Sequence, residues 1–66
     1  MANNGIGEQL KRFRLEHRKS QRDVAKELGV HYQSVLYWEK GTVKPLETNL
    51  FQIQKMFKAH GFAPNE

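Results

Sequence analysis

The chain has 66 residues and no cysteine. That length allows one domain burying only about 60% of its unfolded surface, and the missing thiols exclude a disulfide framework or a thiolate metal site. Eleven basic residues against seven acidic ones give a formal net charge of +4 and a pI of about 9.7, a balance that favours polyanionic partners.

The pattern is helical almost throughout. Ile6, Leu10, Phe13, Arg14 and His17 recur on one face of a helix predicted from about Ile6 to Arg18. Asn3 or Asn4 is the expected cap of its start. Ser20 reads as the N-cap of a second, short helix, with Asp23 three residues on in a capping-box arrangement. Val24, Ala25 and Leu28 form its apolar stripe, and Gly29 ends it by adopting a positive φ cheaply.

After Val30, His31 opens a third helix. Val35 and Trp38 are expected to face inward, which turns Gln33, Leu36, Tyr37 and Lys40 outward at i, i+3, i+4 and i+7. Gly41 closes this helix, and Thr42 to Leu46 reads as a loop in which Pro45 either ends the turn or starts the next helix. Leu46, Leu50, Ile53 and Phe57 give a fourth stripe, on a helix from about Glu47 to Ala59. Gly61, Pro64 and the polar end read as a frayed tail.

These elements predict an all-α fold, a compact bundle of four or five short helices spanning residues 1–66 as one domain. The expected core is Ile6, Leu10, Phe13, Val24, Ala25, Leu28, Val30, Val35, Trp38, Leu50, Ile53 and Phe57. Phe51, Met56 and Phe62 are apolar residues that the fourth stripe does not need. They either complete a small core or form an association surface.

Little in the chain points to catalysis. His17, His31 and His60 stand at spacings that match no zinc motif. Glu8, Glu16 and Asp23 are scattered on polar faces, with no nucleophile beside a base and no phosphate loop. No enzyme, no metal and no cofactor is expected. No apolar run approaches the ~20 residues that span a bilayer, and the polar start from Met1 to Asn4 does not read as a signal peptide. The expected location is cytoplasmic. Lys11, Arg12, Arg14, Arg18, Lys19 and Arg22 fall close together against one acid, Glu16. Such a cluster is either a solvated face or a phosphate-binding one.

The segment from Ser20 to Gly41 carries the most information. Two helices crossing steeply through a three- or four-residue turn need a small residue at the close approach, a glycine in the turn and a branched residue between the helices. Ala25, Gly29 and Val35 supply these at spacings of four and six.

With Ser20-Gln21 ahead of that set, Trp38-Glu39 and Gly41 after it, and Pro45 before an apolar helix, the chain resembles the phage Cro and phage-repressor type of XRE-like helix-turn-helix proteins. The resemblance covers about Ile6 to Phe57. It implies a transcriptional regulator that binds operator DNA, commonly as a homodimer on a palindrome, in a bacterial or phage-infected cell and in association with the nucleoid. It also implies that the helix at about 32–40 lies in the major groove.

The base-edge positions implied by the resemblance are Tyr32, Gln33 and Ser34, with Tyr37 one turn after Gln33. Gln33 can donate to and accept from adenine; its other reading is a solvated glutamine. Tyr32 and Tyr37 either read bases or cover the core. Leu36 either meets a thymine methyl or packs on a neighbour. Gln21 matches a phosphate-contacting position at the start of the second helix, though it also reads as a plain first-turn residue. Lys40, Thr42 and Lys44 match the loop that grips the sugar-phosphate backbone, with Ser34 and Arg12 as weaker phosphate candidates.

In several family members the positions of Arg14 and Glu39 form an ion pair between the first helix and the end of the third. Arg14 lies on an apolar stripe, where a charge needs a partner. Arg18 and Lys19 stand where the family usually has a glycine and an apolar residue, which leaves the end of the first helix open. A phage-type repressor, a host regulator and the antitoxin of a toxin–antitoxin pair share this domain, and a protein-interaction module on the same fold is the reading from another class.

Overall fold

The computed structural model describes residues 5–63. It contains four helices and, among the described residues, no strand: α1 (Ile6–Glu16), α2 (Gln21–Leu28), α3 (Tyr32–Lys40) and α4 (Glu47–Ala59). The all-α reading therefore holds, with four helices among the described residues rather than five. Asn3 and Asn4 lie outside the described residues; Gly5 occupies the N-cap of α1 and supplies no side-chain bond.

Local chemistry accounts for α2 and α3. Ser20 Oγ accepts from the Asp23 N–H at 3.0 Å, and Asp23 Oδ2 accepts from the Ser20 N–H at 3.0 Å. The capping box is complete, with Asp in the place of the more usual Glu or Gln. At α3 the cap is His31, whose Nδ1 accepts from the Gln33 N–H at 3.2 Å.

The four helices end alike. Each is followed by a residue of positive φ, namely Arg18, Gly29, Gly41 and Gly61. The next amide reaches back to a carbonyl of the last turn: Lys19 to Arg14 at 2.8 Å, Val30 to Ala25 at 3.0 Å, Thr42 to Tyr37 at 3.1 Å and Phe62 to Phe57 at 2.8 Å. This is the Schellman closure, which satisfies carbonyls that a helix end leaves orphaned. The first helix thus stops at Glu16, two residues before its predicted end, because Arg18 leaves helical φ at 54°.

α3 packs against α1 and α2, and α2 also packs against α4. The core is Leu10, Phe13, Val24, Ala25, Val35, Trp38, Ile53, Met56, Phe57 and Phe62. Ile6, Leu28 and Val30 lie at its margin rather than inside it, and Leu50 is half-buried. Met56 and Phe62 answer one open question by completing the core, whereas Phe51 stays 63% exposed.

Phe62 also corrects the expectation of a frayed tail as far as Ala63. It follows the Gly61 turn, and its ring meets Phe57 at 4.8 Å and Phe13 at 5.4 Å between centroids. A hydrophobic contact of this kind commonly accompanies the Schellman turn. Pro64 lies outside the described residues.

Candidate nucleic-acid interface

What fixes α3 in the fold is a clamp at its last turn. Arg14 Nε donates to Glu39 Oε2 at 2.8 Å, and Arg14 Nη2 donates to Glu39 Oε1 at 2.9 Å. Two parallel bonds between a guanidinium and a carboxylate set an orientation as well as a distance. The side chains are only 16% and 6% exposed, so solvent screens the pair little. The bonds to Glu39 hold the Arg14 guanidinium above its ordinary pKa, against the opposing cost of its burial. Gln21 Nε2 adds a third donor to Glu39 Oε1 at 3.3 Å. One carboxylate on α3 therefore ties together α1, α2 and α3.

The backbone of α1 comes close to the same turn. A Cβ on Gly7 would run into the Trp38 carbonyl oxygen, and it would lie 3.2 Å from the Glu39 Cα. Gly7 is required by a close approach, and the sequence reading passed over it because it sits between apolar positions of α1 without a turn to mark it.

The helix so held presents a polar stripe. Gln33, Tyr37 and Lys40 are exposed at i, i+4 and i+7, one face of α3. The Gln33 side chain makes no hydrogen bond among the described residues, while its backbone N–H donates to His31 Nδ1. Tyr37 is 41% exposed. Leu36 and Ser34 are half-buried, and Tyr32 is half-buried and packs on the core margin. Beyond the helix, Thr42 and Lys44 are exposed in the loop that follows Gly41.

Several of the sequence-derived positions are engaged within the fold, Gln21 with Glu39 and Tyr32 with Arg22 and His31. Arg14 and Glu39 form the clamp. Arg12, weighed as a phosphate candidate, turns to the other end of the molecule: its Nη2 donates to the Ala63 carbonyl at 3.1 Å, its Nε lies 3.4 Å from Glu16, and its guanidinium sits 5.0 Å from the Phe62 ring centroid.

Among the described residues no group of three or more His, Cys, Asp or Glu side chains is placed to hold a metal ion, and no helix is long and apolar enough to cross a membrane. His17 and His60 do meet, at 5.5 Å between centroids. Their contacts are structural: His17 Nδ1 lies 3.0 Å from the Phe13 carbonyl, and His60 Nε2 lies 2.7 Å from Glu27 Oε2.

A short capped helix, a left-handed glycine turn and a second helix clamped at its far end, with a polar stripe facing outward, form a helix-turn-helix. Residues 10–60 match the family of that name, "Helix-turn-helix". The chain belongs to the helix-turn-helix family. It is 36% identical over 53 residues to the HTH-type transcriptional regulator DicA of Escherichia coli strain K12, covering 80% of this chain and 39% of that protein. It is 42% identical over 48 residues to an uncharacterized HTH-type transcriptional regulator of Methanocaldococcus jannaschii, covering 73% of each. The chain thus spans about two fifths of the first relative and about three quarters of the second. No solved structure matches it.

Two side chains of this helix-turn-helix escaped the sequence reading, His31 as the cap of α3 and Arg22 beside Tyr32. Histidine is an uncommon cap, so type alone gave no signal. Its place directly before the first residue of α3 was the available one.

Proposed function

We propose that residues 1–66 act as a single sequence-specific unit binding double-stranded DNA in a transcriptional regulator, a repressor of phage or bacterial type. In this reading α3 enters the major groove. Gln33 reads an adenine, Tyr37 and Tyr32 approach neighbouring base edges, and Leu36 offers an apolar contact to a thymine methyl. Lys40, at the end of α3, and Thr42 and Lys44 after it bind phosphates, Gln21 does so at the start of α2, and Ser34 is a further phosphate contact. The Gln21 amide has a second N–H left for a phosphate after its bond to Glu39. Arg12 is left out because its guanidinium is engaged by the C-terminal segment.

The observation that carries this reading is the unpartnered Gln33 side chain on an exposed polar stripe of α3, held by a buried bidentate clamp. A rigidly held helix with free amide donors and acceptors is what base readout requires. The names of two relatives, both HTH-type transcriptional regulators, agree with it.

One such unit reads few base pairs. A homodimer on a palindromic operator, with half-sites about 34–36 Å apart, supplies the remaining specificity. Leu46, Phe51, Leu15 and Val43, 71%, 63%, 61% and 48% exposed, are apolar residues available for that association. The site of action is the nucleoid of a bacterial or phage-infected cell.

Selection of bound duplexes from a random pool tests the reading. The expected result is a palindrome with half-sites one helical turn apart. Gln33→Ala should then flatten the preference at one position, while Lys44→Ala weakens binding to all sequences alike and lowers the salt slope by about one. A pool with no enrichment at low or moderate salt would overturn the reading in favour of a protein-interaction module.

A further inference from the structure

Arg22 is the second residue of α2, and its guanidinium carbon lies 4.1 Å from the centroid of the Tyr32 ring, the first residue of α3. That is well inside the range of a cation–π contact. His31, the N-cap of α3, stacks on the same ring at 5.2 Å between centroids, with the planes 26° apart. Arg22 is exposed and makes no ion pair among the described residues. Its neighbour Asp23, the nearest acid in sequence, is engaged by Ser20.

The Tyr32 ring thus has three partners: the core it packs against, the cap residue of its own helix and a cation from the preceding helix. A tyrosine has few rotamers, and a planar guanidinium laid on its ring restrains them further. We propose that Arg22 is a positioning residue that sets base preference through Tyr32, by fixing where the Tyr32 hydroxyl points at the leading end of α3. This rests on the DNA-reading function proposed above and assigns to Arg22 a role beyond its charge.

Charge and positioning predict different things. A cation that only meets phosphate contributes equally to every duplex, and a lysine replaces it. A planar group stacked on a ring is not replaced by lysine's compact ammonium. Arg22→Lys should therefore keep overall affinity and its salt slope while losing discrimination at the base pair nearest Tyr32. The expected loss is roughly two- to fivefold, the scale of an exposed cation–π contact. Arg22→Ala should lose the same discrimination. In a Tyr32→Ala background neither change should cost any further discrimination, since residues that act as one unit are not additive.

The measurement is competitive binding of the parent, Arg22→Ala, Arg22→Lys, Tyr32→Ala and the two double variants to the selected duplex and to its single-base variants. Proton NMR of the unbound proteins runs beside it. Ring-current shifts on the Arg22 side-chain protons should be present in the parent and absent in Tyr32→Ala, and circular dichroism should show each variant folded. Uniform weakening of all duplexes by Arg22→Ala, with full rescue by lysine, would overturn the proposal and make Arg22 a phosphate contact. A loss of discrimination that persists in the Tyr32→Ala background would overturn it too. If the parent protein itself prefers no sequence, the DNA-reading function fails first. That result is distinct from a parent that discriminates while Arg22→Lys discriminates as well.

Discussion

The inner helices of the motif, α2 and α3, and the flanking helices, α1 and α4, differ in how they start. α2 and α3 are short, with eight and nine residues, and each begins on a side-chain cap, Ser20 or His31. α1 and α4 are longer, with eleven and thirteen residues, and neither has a side-chain cap bond. Short helices gain little from their own ladders and need their ends satisfied locally. The flanking helices are held instead by distant residues. Phe13 of α1 meets Phe57 of α4 at 5.3 Å and Phe62 at 5.4 Å, and Arg14 reaches across to Glu39. The inner pair is specified mostly by what stands next to it in the chain, and the flanking pair by what packs on it.

The largest expected effect lies where the two pairs join. Arg14→Ala leaves the Glu39 carboxylate nearly buried, with only the longer bond from Gln21. Breaking a pair of this kind by removing one partner should destabilise by about 2–4 kcal/mol. For a domain of this size that lowers the melting temperature by more than about 10 °C. A thermal melt of Arg14→Ala that matches the parent would show that the flanking helix does not depend on the clamp.

This division also governs what the sequence reveals. Ser20, Asp23, Gly29 and Gly41 act within a few residues of themselves, so the bounds of α2 and α3 could be read directly. So could Ala25 and Val35, because one crossing geometry demands both. Gln33, Tyr37 and Lys40 could be placed outward from the positions of Val35 and Trp38 alone. Gly7 could not be recognised, since its reason is the Trp38 carbonyl on another helix. Nor could the burial of Phe62, which depends on the chain reversing at Gly61 to return the ring to Phe13 and Phe57. The contacts of Arg12 with Phe62 and Ala63 followed from the same reversal and were equally hidden.

A smaller effect sharpens the local half of the comparison. The Asp23 carboxyl lies below its ordinary pKa, chiefly because the Ser20 backbone N–H donates to it and then because of the Ser20 side chain. A lowered folded-state pKa means that ionised Asp23 stabilises the fold above the usual carboxylate range. That contribution fades as pH falls through the lowered folded value. Asp23→Ala should therefore melt below the parent at pH 7, and the gap should close on acidification below about pH 4. A gap that persists unchanged at pH 2 would show that the carboxylate is not the stabilising group. Ser20→Ala, which removes the other half of the box, should cost about 1 kcal/mol at neutral pH.

The smallest effect has the opposite sign, and it concerns the way the four helices end alike. Three of the left-handed positions are glycines, and the fourth is Arg18 at φ 54°. An L-residue in that region pays roughly 1–2 kcal/mol that glycine does not. The Lys19 amide still bonds the Arg14 carbonyl at 2.8 Å, so the closure forms in spite of that cost. Arg18→Gly removes the strain but makes the unfolded chain freer, which returns roughly 0.4–1 kcal/mol. The net expectation is a stabilisation of about 0.5–1 kcal/mol, read as a rise in the denaturation midpoint with an unchanged slope. Gly29→Ala is the mirror experiment. A Cβ there meets nothing within 4 Å, so its cost, about 1 kcal/mol, isolates the backbone penalty from any clash. If Arg18→Gly fails to stabilise while Gly29→Ala destabilises as expected, then the arginine side chain itself holds the turn. The end of α1 would then belong with the flanking helices' long-range contacts rather than with the local closures of α2 and α3.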